Sequence, residues 1–247
     1  MVFLGPSLPL ASARRLLDAT YLPPAAMGDV YRALARRPRP RRIAIIDGYF
    51  ERMAAPWHKE ILWALQRGVA MYGAASMGAL RAAELEAFGM IGVGRIFAAY
   101  RSGRLTDDDE VAVLHGPASH GFAPASEAMV NVRAGLALAR STGVIGGRAH
   151  AALLDLAKAQ FYRERSWDTV IAGGRSAGLP RRQLDALAAL IARRPPDAKA
   201  MDARMLLRRL AREPPAVRRA PTGRARMADT WFWRRFVEVI ETDDSAD

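Results

Sequence analysis

Two stretches decide the fold: Arg42-Ile43-Ala44-Ile45-Ile46-Asp47-Gly48, and Val69-Ala70-Met71-Tyr72-Gly73-Ala74-Ala75-Ser76-Met77-Gly78. The first is almost continuously apolar and stops at Gly48. A strand buried on both faces has this composition, which favours a parallel sheet. Pro56 then suits the first helical position, and Ile61, Leu62 and Leu65 share one helical face that ends at Gly68. Val69–Tyr72 reads as the next strand, Gly73–Ser76 as a tight turn of small residues, and Met77–Phe88 as a helix stopped by Gly89. The order strand–helix–strand–helix is that of a right-handed βαβ unit.

Working outward, Val2-Phe3-Leu4 reads as a buried strand that turns at Gly5-Pro6-Ser7. Leu10, Ala13, Leu16 and Leu17 have helical spacing, and a second helix over Gly28–Arg37 ends at Pro38 and Pro40. Val111–Leu114 is a further strand candidate, after the acidic run Asp107–Glu110, and Ser126–Ala139 is a helix. Beyond Gly143 the pattern turns helical, over Ala149–Tyr162, Arg181–Arg193 and Ala200–Arg212, with Gly173-Gly174 and Pro195-Pro196 as joints. Glu213–Thr222 is Pro/Arg-rich and reads as a linker. Trp231-Phe232-Trp233 and Phe236 are apolar enough to dock, and Glu241–Asp247 is an acidic tail. The expectation is an α/β fold: a parallel-sheet, Rossmann-like core with helices on both faces over residues 1–142, and a helical C-terminal region over 143–247.

The composition bounds the chemistry. With 247 residues, 51% hydrophobic and 25% charged, the chain is ordinary globular protein. It has no cysteine, which excludes disulfides, thiolate metal sites, a cysteine nucleophile and a persulfide carried on this chain. No apolar run has the length of a membrane span, and Met1–Leu10 lacks the basic leader of a signal peptide, so a cytoplasmic location is expected. The net charge of +12 invites a nucleic-acid reading. That reading is disfavoured, because only Lys59, Lys158 and Lys199 among the 37 basic residues are lysines. Such extreme arginine usage with abundant alanine is what a GC-rich genome produces without selection for DNA binding.

In open α/β sheets ligands bind beyond the carboxyl ends of the strands. Gly5-Pro6-Ser7, Asp47-Gly48 and Gly73–Ser76 all fall there. Ala74-Ala75-Ser76-Met77-Gly78 is close to a G-x-S-x-G nucleophile elbow, with Ala74 in place of the first glycine. The bland reading of Ser76 is a helix N-cap. His58 opens the preceding helix, as a core-edge histidine or a general base. Lys59 is a rare lysine beside it, as a solvated helix-end charge or as the partner of a serine. Asp47, at a strand end, orients a histidine, binds a cation or caps a turn. Arg81 and Glu84 are three apart on the Ser76 helix and pair with each other or with a ligand. His115, His120, Asn131 and Arg133 are isolated polar candidates without metal-ligand spacing. Asp107–Glu110 reads as a solvated acidic loop ahead of a magnesium site. There is no Walker lysine motif, no G-x-G-x-x-G and no zinc signature, so no cofactor or metal is expected.

Taken together these runs carry a family resemblance. They are Ile45–Phe50, Trp57–Leu65, Tyr72–Leu85, Phe88–Gly94, Asp108–Gly116 and Ser126–Arg133, preceded by Phe3-Leu4-Gly5-Pro6-Ser7-Leu8. Over residues 2–170 the chain resembles the TfuA-like family. The resemblance implies an accessory protein that works beside a YcaO-type enzyme in converting a peptide backbone amide to a thioamide. It also implies a ubiquitin-like sulfur carrier with a C-terminal thiocarboxylate, whose hydrolysis would release sulfide, and the precursor peptide as a further candidate partner. Within that frame Ser76, His58, Lys59 and Asp47 are the catalytic candidates. Gly5, Pro6, Ser7, Gly73, Met77, Gly78, Arg81, Glu84, His115, Asn131 and Arg133 are candidates for the oxyanion site or for binding the carrier's tail. The rival is a non-catalytic adaptor, or an allosteric activator, that recruits the carrier or peptide to the YcaO-type enzyme.

Overall fold

The computed structural model describes residues 1–51, 53–214 and 227–244, without the side chains of residues 243 and 244. Most of the expected linker, with Arg218, Arg219, Arg224 and Arg226, lies outside the described residues, as does the end of the acidic tail.

Five parallel strands form the sheet: β1 (Val2–Phe3), β2 (Tyr21–Leu22), β3 (Arg42–Ile45), β4 (Ala70–Ala74) and β5 (Ile91–Val93), in the order β2-β1-β3-β4-β5. The register pairs Ile45 with Gly73 and Phe3 with Ile45, so the strand ends that carry Gly5, Asp47 and Ser76 lie side by side. Alternation along the strands divides the core in two. Phe3, Ile43, Ile45 and Met71 face one way, against α2 (Asp29–Ala35), α3 (His58–Gln66), α4 (Met77–Leu85) and α5 (Arg95–Arg101). Val2, Leu4, Ala44, Ile46, Tyr72 and Ala74 face the other way.

The second face is covered from far along the chain. Short α1 (Leu10–Arg14) contributes Ala13. The chain then makes an excursion through α6 (Met129–Ser141), α7 (Gly147–Ala159), α8 (Trp167–Ser176) and α9 (Arg181–Arg193), which bury their own core around Leu136, Leu153, Val170 and Leu184. It returns in α10 (Ala198–Arg212), whose Ala200, Ala203, Leu206, Leu207 and Leu210 pack onto the sheet. Finally α11 (Trp231–Asp244) docks Trp233 against Tyr31, Trp57 and Trp63.

Several local expectations are corrected. Val111–Leu114 is not a strand: a 3-10 turn at Asp108–Glu110 leads into irregular chain, and Leu114 N donates to Ser126 Oγ rather than to a ladder. That bond holds Ser126 outside the helix, so α6 starts three residues later than expected. Gly173-Gly174 is not a joint but lies inside α8. A Cβ on Gly174 would come within 2.9 Å of Leu153 Cδ2, so the glycine is a close helix contact. Strands β2 and β5, and helices α5 and α8, were not expected.

Candidate active site

Asp47 lies two residues beyond the end of β3 and is buried. Its Oδ2 accepts from Gly5 N at 2.8 Å and Ser7 N at 3.1 Å, and its Oδ1 accepts from Ser7 Oγ at 2.6 Å. Gly5 and Ser7 are thus spent on Asp47, and the aspartate fastens the loop after β1 to the end of β3. It does not touch His58 or Lys59, so the expected role of orienting either one is corrected.

After β4 the chain reverses around Ala75, whose φ is +66°, and Ser76 N donates to Ala74 O at 2.8 Å. That closes a three-residue turn of the rare, strained type. The left-handed residue is therefore Ala75, and Ser76 follows it at the N-cap of α4. Ser76 makes no side-chain capping bond there. Its Oγ donates instead to Val111 O, at 3.4 Å.

The same carbonyl oxygen accepts from Lys199 Nζ at 2.8 Å. Lys199 sits in the first turn of α10, buried beneath the irregular segment that begins at Val111. Burial pushes its pKa below the usual lysine range, against the opposing pull of Asp47, Asp197 and Glu127. The helix end that carries it is fixed three times. Asn131 Oδ1 accepts from Ala198 N at 2.8 Å and from Lys199 N at 3.4 Å, and Asp197 Oδ1 caps Ala200 N at 2.8 Å. Glu127 Oε1 in turn accepts from Asn131 Nδ2 at 2.8 Å.

Ser76, Asp47, Met77, Pro6, His115 and Lys199 line a cavity of about 460 Å³ at the carboxyl ends of the strands. Tyr49, Phe50, Tyr162 and Arg163 contribute its outer wall. His115 Nδ1 lies 2.8 Å from Gly116 O, so that nitrogen carries the proton and Nε2 is left as an acceptor. Two amides next to Ser76 have no hydrogen-bond partner among the described residues. One is Met77 N, at the start of α4. The other is Gly48 N: Asp47 O and Tyr49 N both bond Ala25, so the Gly48 N–H points to the opposite side, toward β4. Gly78 N, an expected donor, bonds Ile46 O at 3.4 Å.

The remaining candidates lie elsewhere. His58 Nε2 is 2.8 Å from Glu84 Oε2, which also accepts from Arg81 NH1 at 2.7 Å, while Arg81 Nε donates to Pro56 O. Burial pushes the Glu84 pKa up, but these two partners prevail and hold it below the usual range. Lys59 Nζ donates to Thr230 Oγ1 at the start of α11. None of these four lines the cavity, so the expectation that His58 or Lys59 sits beside Ser76 is corrected; the lysine that lines the cavity with Ser76 is Lys199. Gly73 and Gly78 are packing residues. A Cβ on Gly73 would lie 1.9 Å from Gly78 O, and one on Gly78 would lie 1.8 Å from Ile45 O. Asn131 caps α10, and Arg133 makes a bidentate pair with Glu110. Asp107, Asp109 and Glu110 lie close enough to share a cation, and Lys158 Nζ reaches all three. His120 is exposed and its ring contacts Ser119 Oγ.

Sequence reasoning missed Lys199. The signal was present, since the argument from rare lysines that singled out Lys59 applied equally to Lys199.

The fold and site define a class first: a parallel α/β protein with a serine at a strand-to-helix turn and a buried amine beside it. Residues 47–166 match the family model described as TfuA-like protein, so that stretch of the chain is similar to that family. The match takes in Asp47, Ser76 and Val111, and ends before Lys199. No curated protein matches the chain. Among the described residues no helix is long and apolar enough to cross a membrane.

Proposed function

We propose that this protein is an acyl hydrolase of peptide thioamidation, which releases sulfide from the thiocarboxylated C-terminus of a ubiquitin-like carrier for a YcaO-type partner. The observation that carries the reading is the convergence of Ser76 Oγ and Lys199 Nζ on the Val111 carbonyl oxygen, in the lining of the cavity. Carrier, partner and reaction class come from the family resemblance. The residues that would do the work come from the site.

Lys199, whose pKa burial lowers, takes the Ser76 hydroxyl proton as the oxygen attacks the thiocarboxylate carbon. The negative charge on the former carbonyl oxygen is met by the Met77 and Gly48 amides. The C–S bond breaks, sulfur departs with its bonding electrons, and Lys199 returns the proton to it as hydrosulfide. Water then attacks the acyl-serine ester, giving a proton to Lys199. The ester C–O bond breaks, Lys199 returns that proton to the Ser76 oxygen, and the carrier's new carboxyl group loses its own proton to solvent and leaves as a carboxylate. The net change is hydrolysis of a thioacid to an acid and sulfide, with no oxidant or reductant. The absence of cysteine fits this scheme, since sulfur never bonds to the chain.

The test is the intact mass of thiocarboxylated carrier after incubation with wild-type protein or with Ser76→Ala. Wild type should convert thiocarboxylate to carboxylate, and the variant should not. If Ser76→Ala supports thioamidation by the YcaO-type enzyme as well as wild type does, the protein is an adaptor and the hydrolase reading fails.

A further inference from the structure

A cavity of about 1300 Å³ lies away from Ser76, in the groove between α5, α6 and α10. It holds no hydroxyl or imidazole side chain. Its floor is apolar, made by Ile96, Leu105, Val130, Met201 and Met205. Met201 and Met205 stand one turn apart on the outer face of α10 and are 55% and 46% exposed. Exposed methionines at that spacing form an adaptable apolar stripe. Arg208 and Arg212 continue the stripe toward the end of α10, and Arg95, Arg104 and Arg204 stand around it.

The positive charge is not balanced from within. Of the two acidic residues at the groove, Asp202 accepts from Arg95 N and Ile96 N at the start of α5. Glu213 is taken by Arg209 and Tyr72. Arg208 and Arg212 have no hydrogen bond or ion pair among the described residues. Residues 215–226 of the sequence contain four arginines and no acid.

We propose that this groove docks an acidic amphipathic helix of a partner polypeptide, with apolar side chains on the Met201–Met205 stripe and carboxylates toward the arginines. An apolar floor with a one-signed rim suits helix-in-groove recognition. A nucleic acid would use the arginines but leave the methionine stripe without a role. The proposal is independent of the chemistry at Ser76.

The probe is a fluorescein-labelled synthetic helix with leucines along one face and glutamates on the others, followed by fluorescence anisotropy on the full chain at physiological ionic strength. Two controls are the same peptide with serine for leucine and a single-stranded oligonucleotide. Wild type should bind the leucine peptide at least about tenfold more tightly than the serine peptide, and Arg208→Glu with Arg212→Glu should weaken it by about tenfold or more. Met205→Asp should weaken it too, with circular dichroism unchanged in all variants. The proposal is overturned if the leucine peptide fails to bind, or if the serine peptide binds equally well. It is also overturned if the oligonucleotide binds more tightly and loses affinity with the same arginine substitutions.

Discussion

Lys199 Nζ and Ser76 Oγ donate to one carbonyl oxygen, that of Val111, at 2.8 and 3.4 Å. The two residues are distant in sequence and come from opposite sides of the sheet. Ser76 opens α4 on one face, and Lys199 opens α10 on the other. Val111 is the point where the irregular segment after Glu110 crosses between them.

Ser76 stands at an N-cap without making the capping bond, so its two readings predict different losses. Ser76→Ala should change stability by well under the ~1 kcal/mol typical of a lost cap, since no cap bond exists to lose. Thiocarboxylate hydrolysis should fall by about a hundredfold or more. Thermal melts beside a sulfide-release assay check both halves.

Asn131 positions Lys199 without lining the cavity. Its Oδ1 takes two amides of the first turn of α10, so Asn131→Ala should cost roughly 1 kcal/mol and lower the hydrolysis rate by loosening the lysine. Asn131→Asp keeps an acceptor and should recover most of both. A merely structural role would move the melt and leave the rate per folded molecule intact.

Gly73 and Gly78 face each other where α4 crosses β4. Gly78→Ala places a methyl 1.8 Å from Ile45 O, a backbone atom that cannot swing away. The expected loss is about 3 kcal/mol, read by denaturant unfolding, against about 1 kcal/mol for Gly103→Ser, where nothing lies within 4 Å of the new Cβ and the only cost is the left-handed φ of +71°.

Glu60 supplies a pH signature. Its buried carboxylate accepts from Gly28, Val30, Tyr31 and Trp57 amides, joining the starts of α2 and α3. Burial outweighs those bonds and raises its pKa from 4.5 to about 7. The folded state therefore holds a proton that the unfolded state has released between those values. Stability should fall as pH rises through that window, by up to ~1.4 kcal/mol per unit. Glu60→Gln should flatten the slope, as measured by unfolding free energy against pH.

The central βαβ unit was legible because β3 and β4 are apolar on both faces and each ends in a glycine or small-residue turn. The outer strands β2 and β5 were not. They are two and three residues long, and β5 contains Gly92, which admits the Phe97 ring where a Cβ would clash. Val111–Leu114 misled for the opposite reason. It is apolar because it roofs the site, and its backbone oxygen serves side chains rather than a strand. Ser76, Asp47 and Pro6 line one cavity, as their places after β4, β3 and β1 lead one to expect; His115, an isolated candidate in the sequence, joins them from an irregular segment. His58 and Lys59 sit close to Ser76 in sequence, yet α3 points them at Glu84 and Thr230. Lys199 could not be placed from spacing, because its position depends on α10 returning to the sheet after four intervening helices.

The most direct test of the serine–lysine pair compares initial rates of sulfide release from thiocarboxylated carrier by wild type, Lys199→Met and Lys59→Met. Methionine fills the Lys199 space with an unbranched apolar chain of similar length, so that variant should fold. The account predicts a loss of about a hundredfold or more for Lys199→Met and an unchanged rate for Lys59→Met. A folded Lys199→Met protein that releases sulfide at the wild-type rate would contradict it.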